Sequence, residues 1–380
     1  MIKYSSLFCL LALISIHSVT LSDTDSCKFK TVTFDADFSS GGLSSCKQIS
    51  RYEFDLFIKA EDQPINPSAW YAFKASATMP QSIRVNLKYI EGNHRYQPKV
   101  SQDGKHWQLL AHEVAKKNRS AHFTLSLNDK PIWVSAQEII DNNYYQEWMA
   151  DTVKKHNLTH YKISQSVEKR DIWAMESRTD TNHWFVIIGR QHPPEITGAM
   201  ALFPFVETVL SGTELAENFR KKFNILFVPI VNPDGVENGH WRHNVGGVDL
   251  NRDWANRSQP EVQGIHNRMQ EIVKQGGEIH FALDFHSTQR NLFYTIPVDY
   301  GLKQSEFSKI WLTSLDKALP NFDVEIKPGV SKNPGVFKQY FADTYGVHSV
   351  TYEAGDRADR NQIKLVARTS AILLMKQMLQ

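Results

Sequence analysis

Residues 183–211 read HWFVIIGRQHPPEITGAMALFPFVETVLS. An unbroken apolar run, HWFVII, meets a glycine, an imidazole, two prolines and a carboxylate, and then a second apolar stretch with the length of a helix. A short strand buried on both faces, followed at once by a helix, is the building unit of an α/β domain. The alternation recurs downstream. FNILFVPIVN, HFALDFH and HSVTYEAG are short apolar runs of strand character, and PEVQGIHNRMQEIVKQ, SEFSKIWLTSLDKAL and NQIKLVARTSAILLMKQML have helical spacing. This pattern predicts a mainly parallel mixed sheet flanked by helices. AQEIIDNNYYQEWMADTVKKH adds a leading helix, and YKISQSVEK with DIWAMESR a hairpin.

The earlier part of the chain has another texture. From Lys28 to about Ser135, short alternating runs such as YEFDLFIKA, SIRVNLKYI and AHFTLSL are separated by turn signals, among them Gly41-Gly42 and Asn66-Pro67. Period-2 alternation with turns at this spacing predicts an antiparallel β-sandwich. VSQDGKHWQLL reads as a hairpin on a tight primed turn at Asp103-Gly104. At the N-terminus, MIKYSSLFCLLALISIHSVTLSDTDS combines one early lysine, an apolar run from about Leu7 to Ile16 and a small, polar tail, the pattern of a secretory signal peptide. The expected organisation is a signal peptide over residues 1–22, a sandwich domain over 23–138 and an α/β domain over 139–380. Such a protein would be periplasmic or secreted, with no stable membrane anchor. Cys27 and Cys46 would remain after cleavage, leaving open one disulfide or two separate thiols.

The chain has 380 residues, is 41% hydrophobic and 22% charged, and carries a net charge of only +2. These values suit a soluble globular protein. With no dense basic block, nothing points to nucleic acid, and no feature addresses the oligomeric state.

Unusual residues collect where the strands end, the place where open α/β sheets bind ligands. HWFVIIG runs into His192 and Glu195, FNILFVPIV into Asn232-Pro233-Asp234-Gly235, HFALDF into His286-Ser287, and HSVTY into Glu353-Ala354-Gly355-Asp356. The prolines fix the backbone, so Glu195 would fall in a first helical turn, three residues from His192. His286 from a neighbouring strand could complete a His₂Glu set. Three protein ligands leave a fourth position for water, the layout of a catalytic zinc. In GHWRHNVGGVDLNRDW, Arg242, Asn251 and Arg252 supply donors that suit a carboxylate, and Asp249 could orient a ligand histidine through its second N–H. A loop held by internal salt bridges is the alternative reading of that segment.

In this order HPPE, NPDG, WRHNVGGVDLNRDW, DFHS and TYEAGD resemble the zinc metallocarboxypeptidases of the carboxypeptidase A superfamily. The similarity runs from roughly Asn143 to the C-terminus. GVDLNRDW and HPPE, with proline at position 194 where the digestive branch has arginine, resemble the cytosolic-carboxypeptidase-like branch, in which a β-sandwich precedes the catalytic domain. The resemblance implies one Zn²⁺ held by His192, Glu195 and His286. Glu353 would be the general base, Arg242 would polarise the scissile carbonyl, Asn251 and Arg252 would clamp the terminal carboxylate, and Asp249 would support the first zinc histidine. For the family's mobile tyrosine, counting back from Glu353 without gaps reaches Ser331, which leaves Tyr340 as the candidate. The same count brings Lys338 to the pocket for the departing side chain, implying a preference for an acidic C-terminal residue or a second carboxylate. The implied partner is a peptide with a free C-terminal carboxylate, from a protein or a cell wall. Two expectations compete with this one: a zinc-dependent deacylase of N-acyl amino acids, some of which share DLNR, and a non-catalytic exported binding protein.

Overall fold

The computed structural model describes residues 27–66 and 69–380. The first part holds β1 (Val32–Asp35), β2 (Ser45–Ser50), β3 (Glu53–Ile58), β4 (Ala72–Ala77), β5 (Gln81–Tyr89), β6 (Lys99–Ser101), β7 (Gln108–Leu109), β8 (Glu113–Val114), β9 (Ser120–Leu127) and β10 (Ile132–Ser135). They form two sheets, β1-β4-β10-β6-β7 and β2-β3-β5-β9-β8. Every second residue of β3 and β9 is buried, so each strand gives one face to the space between the sheets. Phe34, Phe54, Leu56, Phe73, Val85 and Phe123 fill it.

The expected antiparallel sandwich holds with one exception, because β3 and β5 run parallel. The chain crosses to the other sheet as β4 between them, and only such a crossover permits a parallel neighbour. The hairpin β6–β7 also forms, but through residues 102–107 instead of a two-residue turn. Gly104 takes a φ of 72°, while the Asp103 carboxylate accepts from the N–H groups of Lys105 and His106. Local Asx bonding replaces the primed turn. Cys27 and Cys46 are joined by a disulfide.

The second part contains α1 (Asn142–His156), β11 (Thr159–Gln165), β12 (Asp171–Ser177), β13 (His183–Gly189), α2 (Ile196–Val209), α3 (Glu214–Lys222), β14 (Asn224–Val228) and α4 (Pro233–Glu237). It continues with α5 (Pro260–Lys274), β15 (Glu278–Thr288), β16 (Leu292–Thr295), α6 (Phe307–Ala318), β17 (Ile326–Pro328), α7 (Phe337–Tyr345), β18 (His348–Gly355) and α8 (Arg360–Leu379). The sheet order is β11-β12-β14-β13-β15-β18-β16-β17. The centre, β14-β13-β15-β18, is parallel, and antiparallel pairings flank it.

Alternate residues of β13 feed two cores. Trp184, Val186 and Ile188 pack with Ile265 and Met269 of α5 and Phe337 of α7. Phe185 and Ile187 join Leu202 and Phe205 of α2 and Leu374 of α8. Helices on both faces are why HWFVII carries no polar alternation. The first turn of α2 presses on the end of β15 so closely that a Cβ at Gly198 would stand 2.6 Å from the His286 carbonyl oxygen. That contact sets Glu195 beside His286. Among the described residues, no single helix is long and apolar enough to cross a membrane.

Candidate metal centre and cleft

The carboxyl ends of β13, β15 and β18 open into a cleft of about 670 Å³. On its floor His192, Glu195 and His286 converge, with one ligand atom from each lying within 4.8 Å of the others. His192 follows the turn at Arg190, where φ is 54°. Glu195 occupies the N-cap of α2, one position before the helical turn in which it was expected; both prolines precede the helix. His286 lies on β15, in register with Glu353 of β18.

The inner nitrogens face one another. Nδ1 of His192 and Nδ1 of His286 are 2.8 and 2.7 Å from the two Glu195 oxygens and 3.2 Å apart. The outer nitrogens are anchored, His192 Nε2 at 2.9 Å from Asp249 Oδ1 and His286 Nε2 at 2.6 Å from Asp284 Oδ2. Carboxylates so placed fix which ring nitrogen turns inward and raise its basicity. Asp249 was expected in this place and Asp284 was missed. Its signal was present in DFH, since residues two apart on a strand share a face.

Burial alone would raise the Glu195 carboxyl, but the His192 and His286 imidazoles hold it well below the usual carboxylate range. Burial would lower His286, yet Asp284 and then Glu195 lift it well above its ordinary value. For Asp249, His192 and then Arg242 and Arg252 outweigh burial and depress the carboxyl. Two imidazoles and a carboxylate, with both outer nitrogens anchored, fit a zinc that keeps one open position.

Glu353 lines the same cleft. Its Oε2 is buried with no hydrogen-bond partner among the described residues. Burial, then the charge of Glu195, pushes its carboxyl up to about 7. Arg242 also lines the cleft and donates from Nε to Asp249 Oδ2 at 2.8 Å, so an internal salt bridge and a site residue coincide here. Asn251 is buried; its Oδ1 accepts from Phe337 N at 2.9 Å and its Nδ2 lies 3.3 Å from His286 Nε2. Arg252 is exposed at the cleft and donates from Nη1 to the Asn251 carbonyl. Lys338 lines the cleft as a buried amine, donates to the Gly329 carbonyl at 2.6 Å, and is lowered to about 8 by burial.

Tyr340 is a correction. Its hydroxyl lies 2.5 Å from His266 Nδ1 and 3.2 Å from Tyr345 Oη, its ring packs on Trp254, and it does not line the cleft. Lys338 and Tyr340 are two residues apart on α7, about 200° around a helix, so one cleft cannot take both. The tyrosine that does line the cleft is Tyr294 of β16, which pairs with Thr351. Asn232-Pro233-Asp234-Gly235 is a structural turn: the Asn232 side chain caps α4, and buried Asp234 accepts from Ser166 Oγ, Glu168 N and Arg170 Nη1.

The sandwich contributes directly, which sequence reasoning did not find. Glu61 accepts from the backbone N–H groups of Trp241, Arg242 and His243 at 2.6–2.8 Å. Asp62 Oδ1 lies 2.7 Å from His243 Nδ1. Arg95 pairs with Asp356 at 2.7 Å, donates to the Ser287 carbonyl, and lines the cleft together with Asn66. These are single residues in connecting segments, with no motif around them.

The zinc carboxypeptidase family profile matches residues 145–360, and the cytosolic carboxypeptidase N-terminal domain profile matches residues 34–136. Cytosolic carboxypeptidase 6 of Mus musculus is 25% identical over 295 residues, covering 69% of this chain and 54% of that protein. Its Caenorhabditis elegans counterpart is 22% identical over 331 residues, covering 75% and 69%. The chain therefore spans about half the length of the mouse relative. A metallo-carboxypeptidase from Burkholderia cenocepacia aligns with a TM-score of 0.79 at 15% identity, covering 92% of this chain and 99% of its own. One from Pseudomonas aeruginosa, in complex with (2-guanidinoethylmercapto)succinic acid, gives 0.74 at 18%, covering 91% and 99%. Both share the fold.

The relatives overturn the expectation of export. The matched N-terminal domain and the mouse and nematode relatives are those of cytosolic carboxypeptidases, which points away from a periplasmic or secreted protein. The signal-peptide reading fell within residues 1–26, outside the described residues. It rested on local pattern alone, an early lysine followed by a short apolar run and a small, polar tail.

Proposed function

This chain belongs to the zinc carboxypeptidase family, and from that membership we propose that it hydrolyses the last peptide bond of peptides ending in a free carboxylate. The cofactor is one zinc ion, for which His192, Glu195 and His286 are the proposed ligands. When bound, zinc supplies Lewis acidity and lowers the pKa of water toward about 7. Glu353 takes a proton from the attacking water and returns it to the leaving amine. Arg242, held by Asp249, donates to the oxyanion that develops on the scissile carbonyl. Arg252 receives the terminal carboxylate, assisted by the Nδ2 donors of Asn251. Catalysis is assigned to residues 139–380, and the holding of the cleft loops to residues 23–138.

The preferred substrate is acidic at its end. Five cationic side chains, Arg95, Arg242, Arg252, Lys327 and Lys338, line the cleft, and Lys338 is the buried one that would meet the departing side chain. The family match does not favour a deacylase or a non-catalytic binding protein, and a cell-wall substrate loses its basis once export is set aside.

The observation that carries the reading is the convergence of the His₂Glu set on a cleft that also holds Glu353 and an exposed Arg252. Mass spectrometry of a peptide set with free and amidated C-termini, with and without chelator, tests it. Single residues should leave only free-acid peptides, and chelation should stop the loss. Equal cleavage of amidated peptides would remove the carboxylate clamp from the proposal.

A further inference from the structure

Among the described residues one more group of three could hold a metal ion: His183, Glu278 and His280. It lies at the opposite end of the strands that deliver the first. His183 opens β13 and Glu278 opens β15, and His280 stands six residues before His286, roughly 20 Å along the strand.

Local pairing creates the cluster. His183 is in register with Glu278, and a register shift between Trp184 and Phe185 leaves His280 as the extra residue of β15. A bulge re-aims a side chain, and here His280 meets His183 across the pair. His183 Nδ1 lies 2.7 Å from His280 Nε2, and these nitrogens are 3.7 and 3.6 Å from Oε2 of Glu278. The same three atoms, one from each residue, thus form all three edges of a triangle. Tetrahedral zinc with bonds of ~2.0–2.1 Å needs edges of ~3.3 Å, within a few tenths of an ångström of the two carboxylate edges. A ring-to-ring hydrogen bond accounts for the 2.7 Å contact, and the carboxylate oxygen at 3.7 and 3.6 Å faces both nitrogens at once.

The rings are held in place. Their centroids are 4.4 Å apart at 87°, and Phe223 packs on both at 6.0 and 5.6 Å. The side chains of His183, His280 and Glu278 are 37%, 38% and 66% exposed, so a fourth position faces solvent. The opposing cation, Lys222, is tied to the carbonyls of Met378 and Leu379.

We propose that His183, Glu278 and His280 form a second site for a divalent transition-metal ion of the zinc class, separate from the centre in the cleft. Bound there, the ion links the starting ends of β13 and β15 and favours the folded chain in proportion to its occupancy.

The test uses the full chain with its first zinc in place, titrated calorimetrically with Zn²⁺ alone and followed by metal counting after gel filtration. The expected result is one further equivalent in the native protein. His183→Ala, His280→Ala and Glu278→Gln should each weaken it by at least ~10-fold, the loss already produced by disturbing partners one shell further out, while peptide hydrolysis stays unchanged. Glu278→Gln keeps both rings and Phe223 in place, so it reads the site even if a histidine variant fails to fold. No further equivalent in the native protein, or one bound as tightly by Glu278→Gln and the foldable histidine variant, overturns the proposal.

Discussion

Glu353 combines burial, an unpaired oxygen and a neighbouring carboxylate, which together place its carboxyl at about 7. A base accepts a proton only when ionised, so kcat/KM should fall as pH drops through about 7, with a bound cation moving that limb lower. Glu353→Gln keeps the shape and removes the proton acceptor. It should cost ~100- to 10,000-fold in kcat with zinc content unchanged; a variant retaining native turnover would exclude Glu353 as the base. Lys338 presents an amine lowered to about 8, so its charge declines as pH rises through that value. Lys338→Met should raise KM for peptides with acidic ends by ~10-fold or more, the worth of one charged hydrogen bond, and change peptides with apolar ends little. Competition between peptide pairs reads this directly, and an equal penalty on both classes would assign Lys338 to packing. Residue types were legible here because each motif, HPPE, DFHS and TYEAGD, holds its chemistry within a few positions. Tyr294 was not singled out, since a tyrosine inside an apolar strand looks like any other half-buried residue, whereas Asp284 stood within DFHS and was passed over.

At the level of elements, helix phase and strand ends decide which side chains reach the cleft. Lys338 and Tyr340 share α7, yet one faces the cleft and the other packs against Trp254. Sequence reading located the strand at residues 183–189 and the helix after it because a run buried on both faces is apolar throughout. It passed over α3, α7, β16 and β17, which are short and owe their form to what they pack against. The segment carrying Arg242 depends on another element. Glu61 accepts three backbone N–H groups there, and Glu61→Gln replaces one acceptor by a donor at a cost of ~1–3 kcal/mol. We expect kcat to fall ~10-fold, the share of that cost reaching the transition state, with KM little changed. A lower melting temperature with native kcat would instead make Glu61 a support for the fold alone.

Across the whole molecule, the sandwich and the α/β domain contribute to one continuous hydrophobic core, and Arg95 and Asn66 reach from the first to the wall of the cleft. The metal centre gathers Glu195, Asp249 and Asp284 around two imidazoles, an arrangement a bound cation favours only in the folded chain. Zinc at ~1,000 times its dissociation constant adds ~4 kcal/mol. Chelation should therefore lower the melting temperature by roughly five degrees, reversed on adding zinc back, and an unchanged melting curve would show that the ion does not act on the fold. By itself the sequence determined the alternation of strands and helices, the order of the motifs and the residue types at each strand end, because these depend on neighbours within a few positions. Only the tertiary structure decided that Tyr294 and not Tyr340 faces the cleft, and that Glu61 and Arg95 cross from one domain to the other. Those contacts join segments far apart in the chain, and their partners are chosen by helix phase, strand register and domain packing, which leave no local trace.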